Sequence, residues 1–108
     1  MNIAIMICRK LINKCSCTGC FDVYNSLSDS FEIYESEKPK LVSIFCCKGC
    51  GSTKFEGEDW CHKINQLKNR DVYNIHLAKC IEIECKDYEK QVQDLKNEGF
   101  KVIRGTHK

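Results

Sequence analysis

The sequence lacks a long apolar run, a strong excess of either charge, and all but one proline. Its 108 residues contain nothing close to the roughly 20 consecutive apolar residues that a membrane-spanning helix needs. Lysine and arginine number 17 against 15 aspartate and glutamate residues, which leaves a formal net charge of +2. This balance gives no field that would draw the chain to nucleic acid or to an acidic membrane. We therefore predict neither kind of partner.

A secretion signal is also missing from the printed sequence. Residues 1–11, MNIAIMICRKL, carry no basic residue before the apolar stretch and no small-residue cleavage site, so they predict a first β-strand instead of a signal peptide. We expect a soluble, cytoplasmic protein in which residues 1–108 form a single domain.

Cysteine is the residue that the chain has in excess, with ten copies. Thiols do not persist as disulfides in a reducing cytoplasm, so a cysteine-rich intracellular chain is typical of metal binding or thiol catalysis. A secreted disulfide scaffold is the alternative, and the missing signal weakens it.

Apolar runs of strand length alternate with helical patterns along the chain. Four runs predict buried strands: NIAIMI (2–7), LVSIF (41–45), the Val72, Ile75 and Leu77 stretch, and FKVIRG (100–105). The alternating run FEIYE (31–35) predicts a half-exposed edge strand. Helical spacing predicts a short helix over 21–27, a second near 60–67, and a third over 87–99 with Asp87 as its cap and Gly99 at its stop.

This alternation favours an α/β fold, with a small, mostly parallel sheet flanked by helices in a three-layer arrangement of the flavodoxin or Rossmann type. Ligands of such sheets bind beyond the carboxyl ends of the strands. Cys8, Cys47 and Cys80 follow three of the predicted strands, and His107 follows the fourth. We therefore expect the cysteines to converge at this edge, with the loops adding Cys15, Cys17, Cys20, Cys50 and Cys85.

Two C-x2-C motifs support a metal site. CTGC (17–20) and CKGC (47–50) have the spacing with which two thiolates hold one ion, and thiolates select zinc, copper(I) or iron–sulfur clusters over magnesium or calcium.

The order of these motifs resembles the CGGC-domain family, small proteins whose many cysteines and histidines have suggested a metal-binding, zinc-type role. The resemblance rests on CTGCF, CKGCG, IHL followed by Cys80, and GTH near the end, and it covers nearly the whole chain. It implies that the site residues are Cys8, Cys15, Cys20, Cys47, Cys50, Cys80, Cys85 and His107. Lys48 replaces a glycine of the family's motif, and Cys17, Cys46 and Cys61 are additions to its pattern.

We therefore predict a metal-binding protein with Cys17 as a further candidate ligand, serving electron transfer, redox sensing or metal handling with a redox or metal-delivery protein as partner. The surplus of thiols favours an iron–sulfur cluster over zinc. The alternative is a thiol-redox enzyme that uses Cys47 and Cys50, although CKGC precedes a loop instead of the helix that would activate such a pair.

Three further residues have simpler interpretations. His76 lies within an apolar strand, where a hydrogen-bonded core histidine is more common than a ligand. Cys61 is expected to pack as a small hydrophobic residue. Cys46 and Cys47 are adjacent and should point to opposite faces, and Cys47 is the better candidate ligand.

Overall fold

The computed structural model describes residues 1–11, 13–34, 37–47 and 58–106. Within these ranges four strands form one parallel sheet, namely β1 (Asn2–Ile7), β2 (Lys40–Cys46), β3 (Val72–Leu77) and β4 (Lys101–Arg104). All four strands predicted as buried are present. Each contains apolar residues, often β-branched, which suit a sheet that is covered on both faces.

Strand β1 is the centre of the sheet, whose order is β2-β1-β3-β4. Its residues Ile3 to Met6 are fully buried. Alternate side chains point to opposite faces, so Ala4 and Met6 belong to one core cluster and Ile3 and Ile5 to the other.

Helices cover both faces of the sheet. One face packs against α2 (Glu58–Lys68), the short helix α3 (Lys79–Glu84) and α4 (Tyr88–Asn97). The other face packs against α1 (Thr18–Ser26) and a 3-10 helix, Asp29–Tyr34. The predicted small α/β fold with three layers is therefore confirmed.

The edge strand predicted at residues 31–35 is wrong. Its described residues end the 3-10 helix Asp29–Tyr34, in which Phe31 and Tyr34 are both buried. Residues three apart lie on the same side of a 3-10 helix, whereas in a strand they would point to opposite faces. Ile33, which the alternating pattern would bury, is 60% exposed.

Two helical details also differ from expectation. The first predicted helix forms, but it buries Cys20 and Val23 while Phe21 is 40% exposed. Asp87 occupies the residue before α4 without a side-chain capping hydrogen bond. Gly99 does end the helix, with a φ of 98° that suits glycine.

The sheet topology creates a crevice. The connection from β1 leads outward to β2, and the chain then returns past β1 to β3 and β4. The strand order therefore reverses between β1 and β3, the position at which open parallel sheets bind ligands beyond their carboxyl ends. None of the helices in the described part of the chain has the length and apolarity needed to span a bilayer.

Candidate thiol site

The carboxyl ends of β1 and β3 are held together at the crevice. The backbone N–H of Ala78 donates to the carbonyl of Met6 at 2.9 Å, and the backbone N–H of Cys8 donates to Sγ of Cys80 at 3.3 Å. Cys8 comes directly after β1, and Cys80 lies in the first turn of α3. The two thiols therefore lie on either side of the point where the strand order reverses.

The beginning of α1 brings three more thiols to the same place. Cys17 precedes the helix and Cys20 lies in its first turn, while Cys15 is in the connection that leads to it. The backbone N–H of Cys17 donates to Sγ of Cys15 at 3.4 Å. Cys20 is 4% exposed, whereas Cys15 is exposed and Cys17 is half-buried.

These thiols surround one cavity of about 30 Å³, which we call the thiol cavity. Its lining consists of five cysteines and three apolar residues, namely Cys8, Cys15, Cys17, Cys20, Cys80, Ile7, Leu11 and Ala78. This volume holds a water molecule or a single ion. It is about a tenth of the smallest pockets that take organic ligands.

A second group of thiols lies near Cys8 on the face of the sheet that α2, α3 and α4 cover. The thiols of Cys47 and Cys85 are near enough to that of Cys8 for their charges to interact. Cys47 is 4% exposed and belongs to the same core cluster as Cys8, and Cys85 accepts a hydrogen bond of 3.0 Å from Nε2 of Gln91. Cys8 therefore belongs to both groups.

Burial keeps several of these thiols protonated. Desolvation is the largest influence on Cys8, Cys17, Cys20 and Cys80, and it raises the pKa of each thiol above its ordinary value. Neighbouring thiols raise these pKa values further, because two thiolates in contact repel each other. A ligand that needs thiolates would therefore have to displace protons from this site.

Thr106 is a site residue that the sequence prediction missed. It is fully buried, and its Oγ1 lies 3.2 Å from Sγ of Cys20. This hydrogen bond lowers the pKa of Cys20, against the larger effect of burial. The motif GTH contained the signal, but only its histidine was selected as a ligand.

The segment that carries Thr106 is fixed from several sides. The backbone N–H of Gly105 donates to the carbonyl of Leu77 at 2.8 Å, and the carbonyl of Thr106 accepts from the backbone N–H of Ser30 at 3.3 Å. Gly105 has a φ of 96°, and a Cβ added there would lie 3.0 Å from Oγ of Ser30. The hydroxyl of Thr106 therefore has a fixed position beside Cys20.

His76 is a core residue, as expected. It is fully buried, stacks on Phe31 with a centroid distance of 4.2 Å, and bonds to Tyr34 and Gly105. The carbonyl of Gly105 can only accept, so Nδ1 of His76 donates to it at 3.2 Å, and Nε2 accepts from the hydroxyl of Tyr34 at 2.9 Å. That hydroxyl also accepts from Nδ2 of Asn74 at 3.3 Å.

The structure places the predicted site residues in three groups. Five of them line the thiol cavity, two lie with Cys8 on the other face, and Cys50 and His107 are outside the described residues. The described cysteines are all free thiols. Among the described residues, no three cysteines, histidines or carboxylates are positioned to hold a metal ion as they stand.

Cys46 and Cys61, which were not predicted to be ligands, also have defined positions in the structure. Cys46 ends β2 and packs in the cluster that contains Cys20, opposite to Cys47, as their adjacency predicted. The prediction that Cys61 packs as a small hydrophobic residue is wrong, since its side chain is exposed on α2. The helix buries Trp60, Ile64 and Leu67 on its other side.

Comparison with known proteins identifies a family and a curated relative. The family model described as "CGGC domain" matches residues 2–107. N-(5'-phosphoribosyl)anthranilate isomerase from Methanocaldococcus jannaschii is 30% identical over 100 residues, which cover 77% of this chain and 41% of that protein. The chain thus spans less than half the length of this relative. No solved structure matches the chain significantly.

Proposed function

The chain belongs to the CGGC-domain family, and from that premise we propose that it binds a soft metal ion in the thiol cavity. Cys8, Cys15, Cys17, Cys20 and Cys80 are the candidate ligands. They come from three segments, namely the end of β1, the start of α1 with the connection before it, and the start of α3, and the fold brings these segments together.

The observation that carries this proposal is the concentration of thiols around a cavity of ionic size. Structural cysteines that merely fill a core would have no reason to gather at the point where the strand order reverses, which is where parallel sheets place their ligand sites. Thiolates are the ligands that zinc and copper(I) prefer.

Zinc is the first ion to test, because a cavity of about 30 Å³ accommodates one ion as it stands. An iron–sulfur cluster, which the number of thiols favours, contains several iron and sulfide atoms and would need the cysteine side chains to move further apart. Metal analysis decides between the two.

The donor atoms fit such an ion by chemistry but are not yet arranged around it. Since no three described donors are in position to hold an ion, binding requires the cysteine side chains to rotate and to lose protons. Cys15 is the exposed thiol of the five, and Cys17 and Cys80 are half-buried, so the side chain of Cys15 has the most freedom to close the site.

Metal analysis of protein purified without oxygen tests the proposal. We expect stoichiometric zinc, or uptake of added zinc with release of protons, in a colourless protein. Brown protein with iron and labile sulfide would support a cluster in place of the single ion. Reduced protein that takes up neither zinc nor iron and sulfide would overturn the proposal.

Serine variants locate the ion. We expect Cys20→Ser combined with Cys80→Ser to abolish zinc uptake, because it removes two of the five donors that line the cavity. Cys61→Ser is the matched control, since this exposed thiol on α2 does not line the cavity. Circular dichroism of the metal-free proteins separates loss of the site from loss of the fold.

Thiol-redox catalysis by Cys47 and Cys50 remains a prediction without structural support, because Cys50 lies outside the described residues. The relative's isomerase activity belongs to a protein of which this chain matches 41%, so it carries no substrate over to this chain. Electron transfer, redox sensing and metal handling, with a redox or metal-delivery protein as partner, are the roles that a soft-metal site would serve in a cytoplasmic protein.

A further inference from the structure

Cys15 and Cys17 form a pair of thiols in contact at the boundary of the thiol cavity. The thiol of Cys17 hydrogen-bonds to that of Cys15, and the backbone N–H of Cys17 donates to the same sulfur at 3.4 Å. Both contacts join residues that are only two apart. The chain must therefore turn back on itself between them.

The backbone of Cys17 supplies this turn. Its φ is 66° and its ψ is 15°, the left-handed conformation that side-chain-bearing residues adopt only at a steric cost. It stands immediately before α1 at the position where serine or aspartate usually caps a helix, yet it makes no side-chain capping bond. Leu27, Asp29 and Asp71 also have a positive φ, so this conformation shapes the turn at Cys17, whereas it is the contact between the two thiols that points to function.

Exposure distinguishes Cys15 from the other cavity thiols. Cys15 is exposed, Cys17 and Cys80 are half-buried, and Cys8 and Cys20 are 6% and 4% exposed. An oxidant in solution therefore reaches Cys15 before the other thiols of the cavity. The thiol hydrogen-bonded to Cys15, and so placed to complete the reaction, is that of Cys17.

We propose that Cys15 and Cys17 are a redox-modification site, at which a low-molecular-weight disulfide oxidises the two thiols to an intramolecular disulfide. Sγ of Cys15, having lost its proton to solvent, attacks one sulfur of the reagent R–S–S–R, and R–S⁻ leaves and takes up a proton. Sγ of Cys17, likewise deprotonated, then attacks Sγ of the mixed disulfide at Cys15 and releases the second R–SH. Two cysteine thiols are oxidised and one reagent disulfide is reduced to two thiols.

Oxidation of this pair controls the metal site, and this consequence rests on the proposed function. A disulfide sulfur is no longer a thiolate ligand, so the cavity keeps only Cys8, Cys20 and Cys80 as donors. Oxidation therefore also removes Cys15, the exposed thiol with the most freedom to close around an ion.

Disulfide mapping of the full metal-free chain tests the proposal. The reduced protein is exposed to limiting oxidised glutathione, the remaining thiols are alkylated, and the linked peptides are identified by mass spectrometry. We expect the first intramolecular disulfide to join Cys15 and Cys17. A first disulfide between Cys17 and Cys20, or a mixed disulfide that persists on Cys15 of the unaltered chain, would overturn the proposal.

Two variants separate the roles of the sulfurs. Cys17→Ser should retain glutathione on Cys15, because the resolving thiol is gone, while Cys61→Ser should form the same disulfide as the unaltered chain. The mechanism would be contradicted if Cys17→Ser did not retain glutathione, or if Cys61→Ser retained it as well.

Zinc binding before and after oxidation tests the consequence separately. If the reduced chain binds zinc, the oxidised chain should lose that affinity and regain it on reduction. Unchanged affinity would refute the regulatory role. If the reduced chain binds no zinc, the proposed function fails, while the disulfide map still decides the modification site.

Discussion

Two buried polar regions under the same layer of helices differ in how fully their polar atoms are hydrogen-bonded. In the first, His76, Tyr34 and Asn74 bond to one another and to Gly105, so that both ring nitrogens of His76 have partners. In the second, the thiols of the cavity mostly face one another, and burial raises the pKa of four of them. The first region is complete without a ligand, whereas the second has donor atoms to offer.

The difference teaches which features of this chain serve folding and which are available for binding. A buried histidine with both nitrogens bonded leaves no lone pair for a metal. The five thiols around the cavity leave most of their sulfur lone pairs free for a metal. Changes in the first region should therefore alter stability, and changes in the second should alter metal affinity.

Replacing His76 should have the largest effect on stability. His76→Leu keeps a similar volume but leaves the O–H of Tyr34 without its acceptor and the carbonyl of Gly105 without its donor, which should reduce the free energy of unfolding by about 3 kcal/mol. Urea denaturation of the variant and the unaltered chain measures this difference in the free energy of unfolding. Zinc binding by the folded fraction should be unchanged.

A double variant provides the control for this prediction. Tyr34→Phe removes the O–H group that His76→Leu leaves without an acceptor, so the combined loss should be smaller than the sum of the single losses. Strict additivity would show that the bond between Tyr34 and His76 contributes nothing.

Acid should destabilise the chain through the same histidine. Burial lowers the pKa of His76 from 6.5 to about 4, so between these values the unfolded state binds a proton that the folded state does not. His76 therefore makes stability fall as the pH drops from about 6.5 to about 4, by about 3 kcal/mol in total. Unfolding measured across this range checks the prediction.

The controls for the pH dependence are two further histidine variants. His76→Leu should lose this part of the pH dependence, and His62→Gln, which changes an exposed histidine on α2, should keep it. The same slope in all three proteins would assign the dependence to other groups.

Removing the hydroxyl beside Cys20 should weaken metal binding more than it weakens the fold. Thr106→Val keeps the shape of the side chain but loses the hydrogen bond to Sγ of Cys20. Loss of a group that orients a metal ligand typically costs about 10–100-fold in affinity. Zinc titration against a competing chelator measures this loss.

Thr106→Ser is the matched variant, because it retains the hydroxyl. It should bind zinc within a few-fold of the unaltered chain. If valine and serine at this position bind zinc equally well, Thr106 does not position Cys20 for the ion.

The sheet was predictable from sequence because its strands are short apolar runs that the fold buries on both faces. The 3-10 helix Asp29–Tyr34 was not, since its alternation of apolar and acidic residues is that of a strand. What overrides the pattern is tertiary: Tyr34 must reach His76, which lies 42 positions further along the chain.

The candidate site was predictable in its location but not in its composition. Parallel strands that end in cysteine predict an edge rich in thiols, and Cys8 and Cys80 do meet there. The contact between Thr106 and Cys20 spans 86 residues, and no local spacing encodes such a pair. The left-handed backbone of Cys17 was equally hidden, because nothing in CSCTGC requires a positive φ at a cysteine.

The smallest predicted effect concerns that backbone conformation. Glycine adopts a positive φ without the steric cost that a Cβ brings, so Cys17→Gly should be more stable than Cys17→Ala by about 1 kcal/mol in the reduced, metal-free protein. Both variants lack the thiol, so the difference isolates the strain. Asn25, exposed within α1, is the control, because there alanine should be the more stable residue by about 1 kcal/mol. If alanine were more stable than glycine at both positions, Cys17 would carry no strain. A reversal of sign between the two positions would instead show that the chain keeps a cysteine where glycine would fold better, as expected if the thiol of Cys17 is retained for its chemistry.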